Sequence, residues 1–356
     1  GRHLPPQLLD APPPSRLHME ILQFAESIQQ EQEPIEKDIQ VILESLRAIV
    51  GARWQGASAQ LYGSRSTGLA LSSSDMDVVL LDISCPPGAV GAALKALSDD
   101  LEKHTTWVKK QQLVSSARIP VLKLQSFSGV PVDITIASTS QHTGLQARDL
   151  VRSYLQTAPQ IKPLVLTIKT FLRSLSLNDP YTGGISSYCI VVLLHKFYHE
   201  SMCMPFFVAD CGLLLVQFLI VFVQRFEKQL THVDDPLSPP AYTDDGKLIP
   251  PENIMQSCYR ISSLCEKFRR AHAAIHWSSP DIGAWEAYEG SLLEAFFAVA
   301  GRTSGTQTDS TVEAKERLSE SAATQTDSSV EAKPHMADGA ATTEGGDASA
   351  AGEDPQ

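Results

Sequence analysis

The chain has 356 residues, of which 43% are apolar, and a formal charge of −12. This fits a soluble globular protein with room for one large or two ordinary domains. Its acidity excludes a nucleic-acid partner drawn in by the overall field, so a polyanion would need a local basic patch or an auxiliary subunit. The charge is uneven: from residue 301 onward there are 11 acidic against 4 basic residues, while the body carries 30 against 25.

Residues 1–15 are rich in proline and predict a loose segment. In 17–50 the apolar positions Leu17, Ile21, Phe24 and Ile28, then Ile39, Ile42, Leu43, Leu46 and Ile49, recur at intervals of three and four. This pattern predicts two amphipathic helices broken near Pro34. A short strand in 54–62 ends at Gly63, "DVVLLDI" is a second strand, and a helix follows around 90–104. "ARIPVLKLQSF" and "VPVDITIAS" flank Ser128 and Gly129 as the arms of a hairpin. On the second arm Val132, Ile134 and Ile136 share one face and Asp133 takes the other.

Beyond Gly144 the pattern is helical to about residue 299, with Pro163 placed to start a helix and Gly183-Gly184 to break one. Residues 234–252, rich in proline and aspartate, predict a loop. The run "PFFVADCGLLLVQFLIVFV" is interrupted by Asp210 and Gln217; its apolar stretches are far short of the roughly 20 residues of a membrane span, so it reads as a core helix. The six cysteines show no zinc-cage or disulfide spacing and read as buried free thiols in a reducing compartment. The sequence opens on Gly1 rather than Met, as a fragment would, and no signal peptide is legible in it.

The expected fold is therefore α+β: a small mixed sheet carrying acids, a mainly helical second domain with a cleft between them, and an acidic disordered tail. The expected boundaries are 1–15 disordered, 16–50 as N-terminal helices of the helical domain, 51–143 as the sheet domain, 144–299 as the helical domain and 300–356 as the tail.

The chemistry centres on "GSRSTGLALSSSDMDVVLL" (63–81). Asp75 and Asp77 could be a solvated turn and the wet face of a strand. Alternatively, residues two apart on a strand aim both carboxylates at one point, and a hard cation such as Mg²⁺ relieves their repulsion. Asp133 on a neighbouring strand would complete a ligand set for two Mg²⁺ or Mn²⁺ ions, the arrangement that clamps attacking and leaving oxygens in phosphoryl transfer. Gly63 lets the backbone come close, and Ser64, read as a helix cap, would seat a triphosphate. Lys169 and Arg173, four apart, share a helical face, and each could equally be part of a solvated stripe.

Gly-Ser followed by G-L-x-L-x-S-S-D-x-D and a later third Asp resembles the nucleotidyltransferase signature of the DNA polymerase beta superfamily. "KPLVLTIKTFLRSLSLNDPYTGGISSYCIVVLLHKFY", "DCGLLLVQFL", "VDDPLSP" and "LHMEILQFAESI" resemble, in order, segments of the Trf-type noncanonical poly(A) polymerases, over about residues 15–280. The resemblance implies a polymerase-beta-like palm and a template-independent enzyme that extends RNA 3′ ends, with ATP as substrate. It also implies that Asp75 and Asp77 bind both metals and that Asp133 activates the RNA hydroxyl. Ser64, Lys169 and Arg173 would hold the triphosphate, and Ser187 and Tyr188 form the pair whose tyrosine stacks on the base.

Base choice is expected from the loop holding Glu252, Asn253 and Gln256, which lacks the His that uridine-preferring members carry before the Asn. Ala147 also looks like the adenylating branch, while Gln256 stands where many relatives have Arg. A uridylyltransferase is the rival reading within the family. The segment between Phe226 and Val233 is shorter than in relatives, which favours a different rival: an inactive relative serving as a scaffold. The implied partners are a zinc-knuckle RNA-binding protein and an RNA helicase in a nuclear surveillance complex, with no membrane. In the tail, "GTQTDSTVEAK" returns as "ATQTDSSVEAK". Its Thr306, Gln307 and Thr308, and Thr324, Gln325 and Thr326, resemble the anchor that adds a strand to dynein light chain. His272 and His276, with Cys265 nearby, lack an evident fourth zinc ligand.

Overall fold

The computed structural model describes residues 14–86, 88–117, 119–137, 142–204, 207–228, 232–238, 241–242, 248–249, 252–276 and 289–301. The repeated Thr-Gln-Thr motifs and the acidic tail lie outside them.

The first element is a single helix, α1 (Arg16–Arg53), that runs straight through Pro34. Proline removes one backbone donor and costs a helix interior about 3 kcal/mol. The burial on either side outweighs this cost. Leu17, Ile21, Phe24 and Ile28 are buried in one hydrophobic core, and Ile39, Ile42, Leu43, Leu46 and Val50 in another. The expected break is therefore absent, and the second half of α1 belongs to the sheet domain rather than to the helical one.

After α1 come β1 (Ser58–Tyr62), the one-turn helix α2 (Gly63–Ser66), β2 (Met76–Leu81), α3 (Val90–His104), β3 (Val108–Val114), β4 (Val121–Ser126) and β5 (Pro131–Ile136). They form a sheet of order β1-β2-β5-β4-β3 in which β2 and β5 are parallel and the other neighbours antiparallel. Met76, Val78 and Leu80 alternate into the core with Val132, Ile134, Leu122 and Leu124, so their odd-numbered neighbours take the opposite face. The pattern missed β3, whose "VKKQQLV" sits at the sheet edge and keeps Lys109 and Lys110 exposed. Edge lysines of this kind protect a free strand against pairing with other chains.

The helical body comprises α4 (Thr143–Thr157), α5 (Ile161–Ser174), a 3₁₀ turn (Pro180–Thr182), α6 (Ser187–Met202), α7 (Cys211–Glu227), α8 (Ile261–His276) and α9 (Leu292–Gly301). A two-stranded ladder, β6 (Ala241–Tyr242) with β7 (Leu248–Ile249), lies inside the segment expected to be a plain loop. The apolar run around Leu215 forms α7 and packs in the core. Among the described residues no helix is long and apolar enough to cross a membrane. All six cysteines are free thiols; Cys203 is exposed and Cys85 only partly buried, contrary to the expectation for those two.

Asp210 caps α7 by accepting from Leu213 N at 2.9 Å, and it also accepts from Ser15 N at 2.7 Å and Ser15 Oγ at 2.8 Å. Ser15 in turn caps α1 through His18 N. A Cβ at Gly212 would press on Ser15 Oγ, so glycine allows the two helix starts to approach. Asp210 is buried; replacing it by Ala strands several donors. We expect Asp210→Ala to lower unfolding free energy by about 3 kcal/mol, measured by urea denaturation.

Candidate active site

The sheet register builds the site. Tyr62 on β1 pairs with Asp77 on β2, Asp77 with Asp133 on β5, and Asp133 with Lys123 on β4. Paired residues share a face, so these side chains form one row across the sheet, opposite the core. Asp75 lies one residue before β2 and is more exposed than Asp77. Burial pushes the Asp77 carboxyl up to about 7, and the nearby Asp75 and Asp133 push the same way. Asp75 is also raised, by burial first and by Asp133 second.

Lys123 Nζ is bonded to Asp133 Oδ2, and sequence reasoning missed it. It is polar between Leu122 and Leu124, the alternation that marks a residue facing away from the core. The three carboxylates are not closed around a common point, and no trio of metal-ligating side chains is drawn together among the described residues. The donor set nevertheless fits divalent cations: hard oxygens on one face, with two carboxyls raised by burial and by their mutual repulsion.

Gly63 turns from β1 into α2 at φ 68°, and a Cβ there would overlap the Asp77 carboxylate. Glycine is thus required twice, by backbone conformation and by space. Ser64 is the second residue of α2 and not its cap: the cap is Tyr62, with no side-chain bond. Ser64, Asp75, Asp77, Lys169 and Arg173 line one cleft of about 570 Å³. Lys169 on α5 is 6% exposed, and its Nζ gives one bond to Leu69 O at 2.8 Å. Its pKa is lowered to about 8, chiefly by burial and then by Arg173, with Asp77 opposing both.

Arg65, another residue the sequence reading passed over, is buried beneath the loop leading to Asp75. It donates to Ser74 O (Nε, 2.9 Å), Ser72 O (Nη2, 3.2 Å) and Gln32 Oε1 of α1 (Nη1, 3.1 Å). It fixes the position from which Asp75 enters the cleft.

A second pocket of about 150 Å³ adjoins the cleft through Ser64. Tyr62, Ala147, Arg148, Ser187 and Tyr188 are among the residues lining it. Tyr188 Oη donates to Asp235 Oδ1 at 2.7 Å, and burial followed by this bond raises its pKa. Ser187 and Tyr188 thus share this pocket, and Asp235 fixes the orientation of the Tyr188 ring. Glu252, Asn253 and Gln256 do not line either cavity. Glu252 O accepts from Asp235 N at 2.8 Å, and Gln256 N donates to Asn253 O at 3.0 Å. Asn253 Oδ1 accepts from Val233 N and Met255 N at 3.0 and 3.1 Å. The three residues brace the segment holding Asp235, and so reach the pocket only through Tyr188. Cys265 is buried on α8, away from any metal-ligating cluster among the described residues.

Residues 17–156 match a family model described as the central palm domain of mitochondrial-like poly(A) RNA polymerases. Over 220 residues the chain is 30% identical to poly(A) RNA polymerase protein 2 of Saccharomyces cerevisiae, covering 59% of this chain and 36% of that protein. It is 29% identical over 218 residues to the inactive poly(A) RNA polymerase protein Trf4-2 of Drosophila melanogaster, covering 59% and 52%. The chain thus spans about a third to a half of the length of these relatives.

Among solved structures, the polymerase core of TRAMP, an RNA surveillance complex, superposes with a TM-score of 0.60 at 23% identity, over 79% of this chain and 93% of that one. A cytoplasmic RNA terminal U-transferase gives 0.57 at 19% identity, over 78% and 98%. At such identities these two bear on the fold alone. Over residues 17–156 the chain is thus similar to the palm domain of poly(A) RNA polymerases, and its fold matches that of the solved polymerase and U-transferase structures.

Proposed function

We propose that the protein is a template-independent nucleotidyltransferase that adds AMP from ATP to RNA 3′ ends. The observation that carries this reading is the register pairing of Asp77 with Asp133 beside the Gly63–Ser64 turn, across the cleft from buried Lys169. Two Mg²⁺ or Mn²⁺ ions held by Asp75, Asp77 and Asp133 would neutralise charge on the transferring phosphoryl group. Ser64, Lys169 and Arg173 hold the triphosphate, and Tyr188 stacks on the base, a contact worth about 1–3 kcal/mol that fixes the nucleotide without choosing it. Asp133 takes the proton of the RNA 3′-hydroxyl. The new bond forms to the α-phosphorus as the bond to the β-phosphate breaks and pyrophosphate leaves.

Preference for ATP is supported by Ala147 in the pocket wall. The nuclear compartment and the zinc-knuckle and helicase partners follow from the Trf likeness, and the chain's acidity agrees with RNA binding shared with a partner. The test is incubation of the chain with labelled oligo(A) and each ribonucleotide in Mg²⁺ or Mn²⁺. We expect short A tails from the isolated chain and none from Asp133→Ala. U tails would make it a uridylyltransferase, and no product under any condition a scaffold like its inactive fly relative. Full extension by Asp133→Ala would refute the assignment of the site.

A further inference from the structure

Beside the nucleotide pocket, along the free edge of β1, runs a groove of about 570 Å³ lined by Arg47, Ser58, Gln60, Leu61, Arg148 and Arg152. Arg47 comes from α1 and the other two arginines from α4, so the cluster is assembled by folding and is invisible in the sequence. Among the described residues no carboxylate lines the groove, which is notable in a chain of charge −12.

Each guanidinium is held by a backbone carbonyl. Arg47 Nε donates to Ala59 O at 3.2 Å, Arg148 Nη1 to Leu61 O at 3.1 Å, and Arg152 Nη2 to Ser66 O at 2.7 Å. Ala59 and Leu61 are two apart on β1, so the arginines block the strand edge against a peptide strand that would need those carbonyls. The exposed Asp149 pairs with Arg148 and lies close enough to Arg152 to feel its charge. A guanidinium has five N–H groups, so the one bond of Arg47 and the two of Arg152 leave donors at fixed positions, whereas Arg148 is engaged further by Gln60 and Asp149. Rigid, forked cations in a row suit phosphate oxygens.

Arg148 also lines the pocket that holds Tyr188, so groove and pocket adjoin. We infer that this groove binds the phosphodiester backbone of a single-stranded RNA next to the site of transfer. The ligand class follows from the fixed guanidiniums; the choice of RNA over an acidic peptide rests on the proposed function and on the blocked strand edge.

The test measures binding of fluorescein-labelled oligo(A) to the full chain across a salt series. Arg47→Gln/Arg152→Gln is compared with Lys95→Gln, which removes an exposed charge on α3. Arg148 is left intact because it belongs to the pocket. Each lost phosphate contact should flatten the plot of log K against log salt by about 0.7, so the double variant should lose about 1.4. Binding should be weaker at physiological salt, the KM for ATP unchanged, and Arg47→Lys/Arg152→Lys should restore most of the slope. A slope and affinity equal to those of Lys95→Gln would overturn the inference, as would weaker binding with an unchanged slope. Displacement of oligo(A) by poly-glutamate at equal charge concentration would assign the groove to acidic protein instead. Groove-dependent RNA binding without nucleotide incorporation would sink the enzymatic reading and leave the groove standing.

Discussion

Asp77→Asn is expected to abolish nucleotide transfer and, in the absence of divalent cations, to raise the thermal midpoint of the protein. Losing a carboxylate that helps hold both ions removes several kcal/mol of charge stabilisation at the reacting phosphoryl group, about three orders of magnitude in rate. The stability change has the opposite sign. The folded-state pKa of Asp77, about 7, lies above the ordinary carboxyl value of 3.8, so the native state binds more protons between these limits. Stability from this group is fully present below about pH 4 and is lost as pH rises through about 7. Near neutral pH the charged cluster therefore strains the metal-free fold. Asn should relieve that strain, raising the midpoint by about 2–4 °C for each kcal/mol recovered and flattening the pH dependence. Mn²⁺ should raise the midpoint of the unaltered chain and leave the variant nearly unmoved. Scanning fluorimetry from pH 5 to 8, with and without Mn²⁺, checks each part. A variant that melts lower than the parent at pH 7 would show that Asp77 is structural.

Lys169→Met is expected to lower kcat/KM for ATP about 100-fold, through the loss of a desolvated cation facing the triphosphate. Because the lysine pKa is lowered to about 8, the free enzyme loses this charge as pH rises through that value, and kcat/KM of the unaltered chain should fall there. Its stability dependence also runs opposite to that of a salt-bridged lysine. Burying the charged form costs stability below about pH 8, and the cost is relieved as pH climbs toward the ordinary lysine range. Lys169→Met should thus melt no lower than the parent at pH 7. Lys169→Arg should rescue little, since the buried stem and the single bond to Leu69 O leave no room for a planar fork. Steady-state kinetics from pH 6.5 to 9 would separate this role from packing: loss of stability without a change in KM would contradict it.

Much of the sheet and the site could be read from residue order. The alternation in 76–81 and 131–136 placed Asp77 and Asp133 away from the core, because a period of two leaves little freedom once Val78, Val132 and Ile134 must be buried. The spacing between Lys169 and Arg173 put both on one helical face, and the cleft received both. What could not be read depends on contacts distant along the chain. Lys123 joins the acids only through strand pairing, Asp235 reaches Tyr188 across 47 positions, and Arg65 meets Gln32 only because α1 passes beneath the Asp75 loop. The continuity of α1 was hidden for a related reason. Local propensity argues against proline in mid-helix, and only the two cores on either side, themselves products of folding, outweigh it. The role of Asn253 in the loop was hidden because its backbone partners, Val233 and Met255, are fixed by folding.

The unbroken α1 also acts as an axle. Its two ends are embedded in the two cores that flank the cleft, and its weakest turn is the one Pro34 leaves without a backbone bond. The phase of the helix sets how the walls of the cleft face each other. One residue inserted between Ile28 and Ile39 would turn one wall by about 100° against the other, leaving every catalytic side chain intact but none of them aligned.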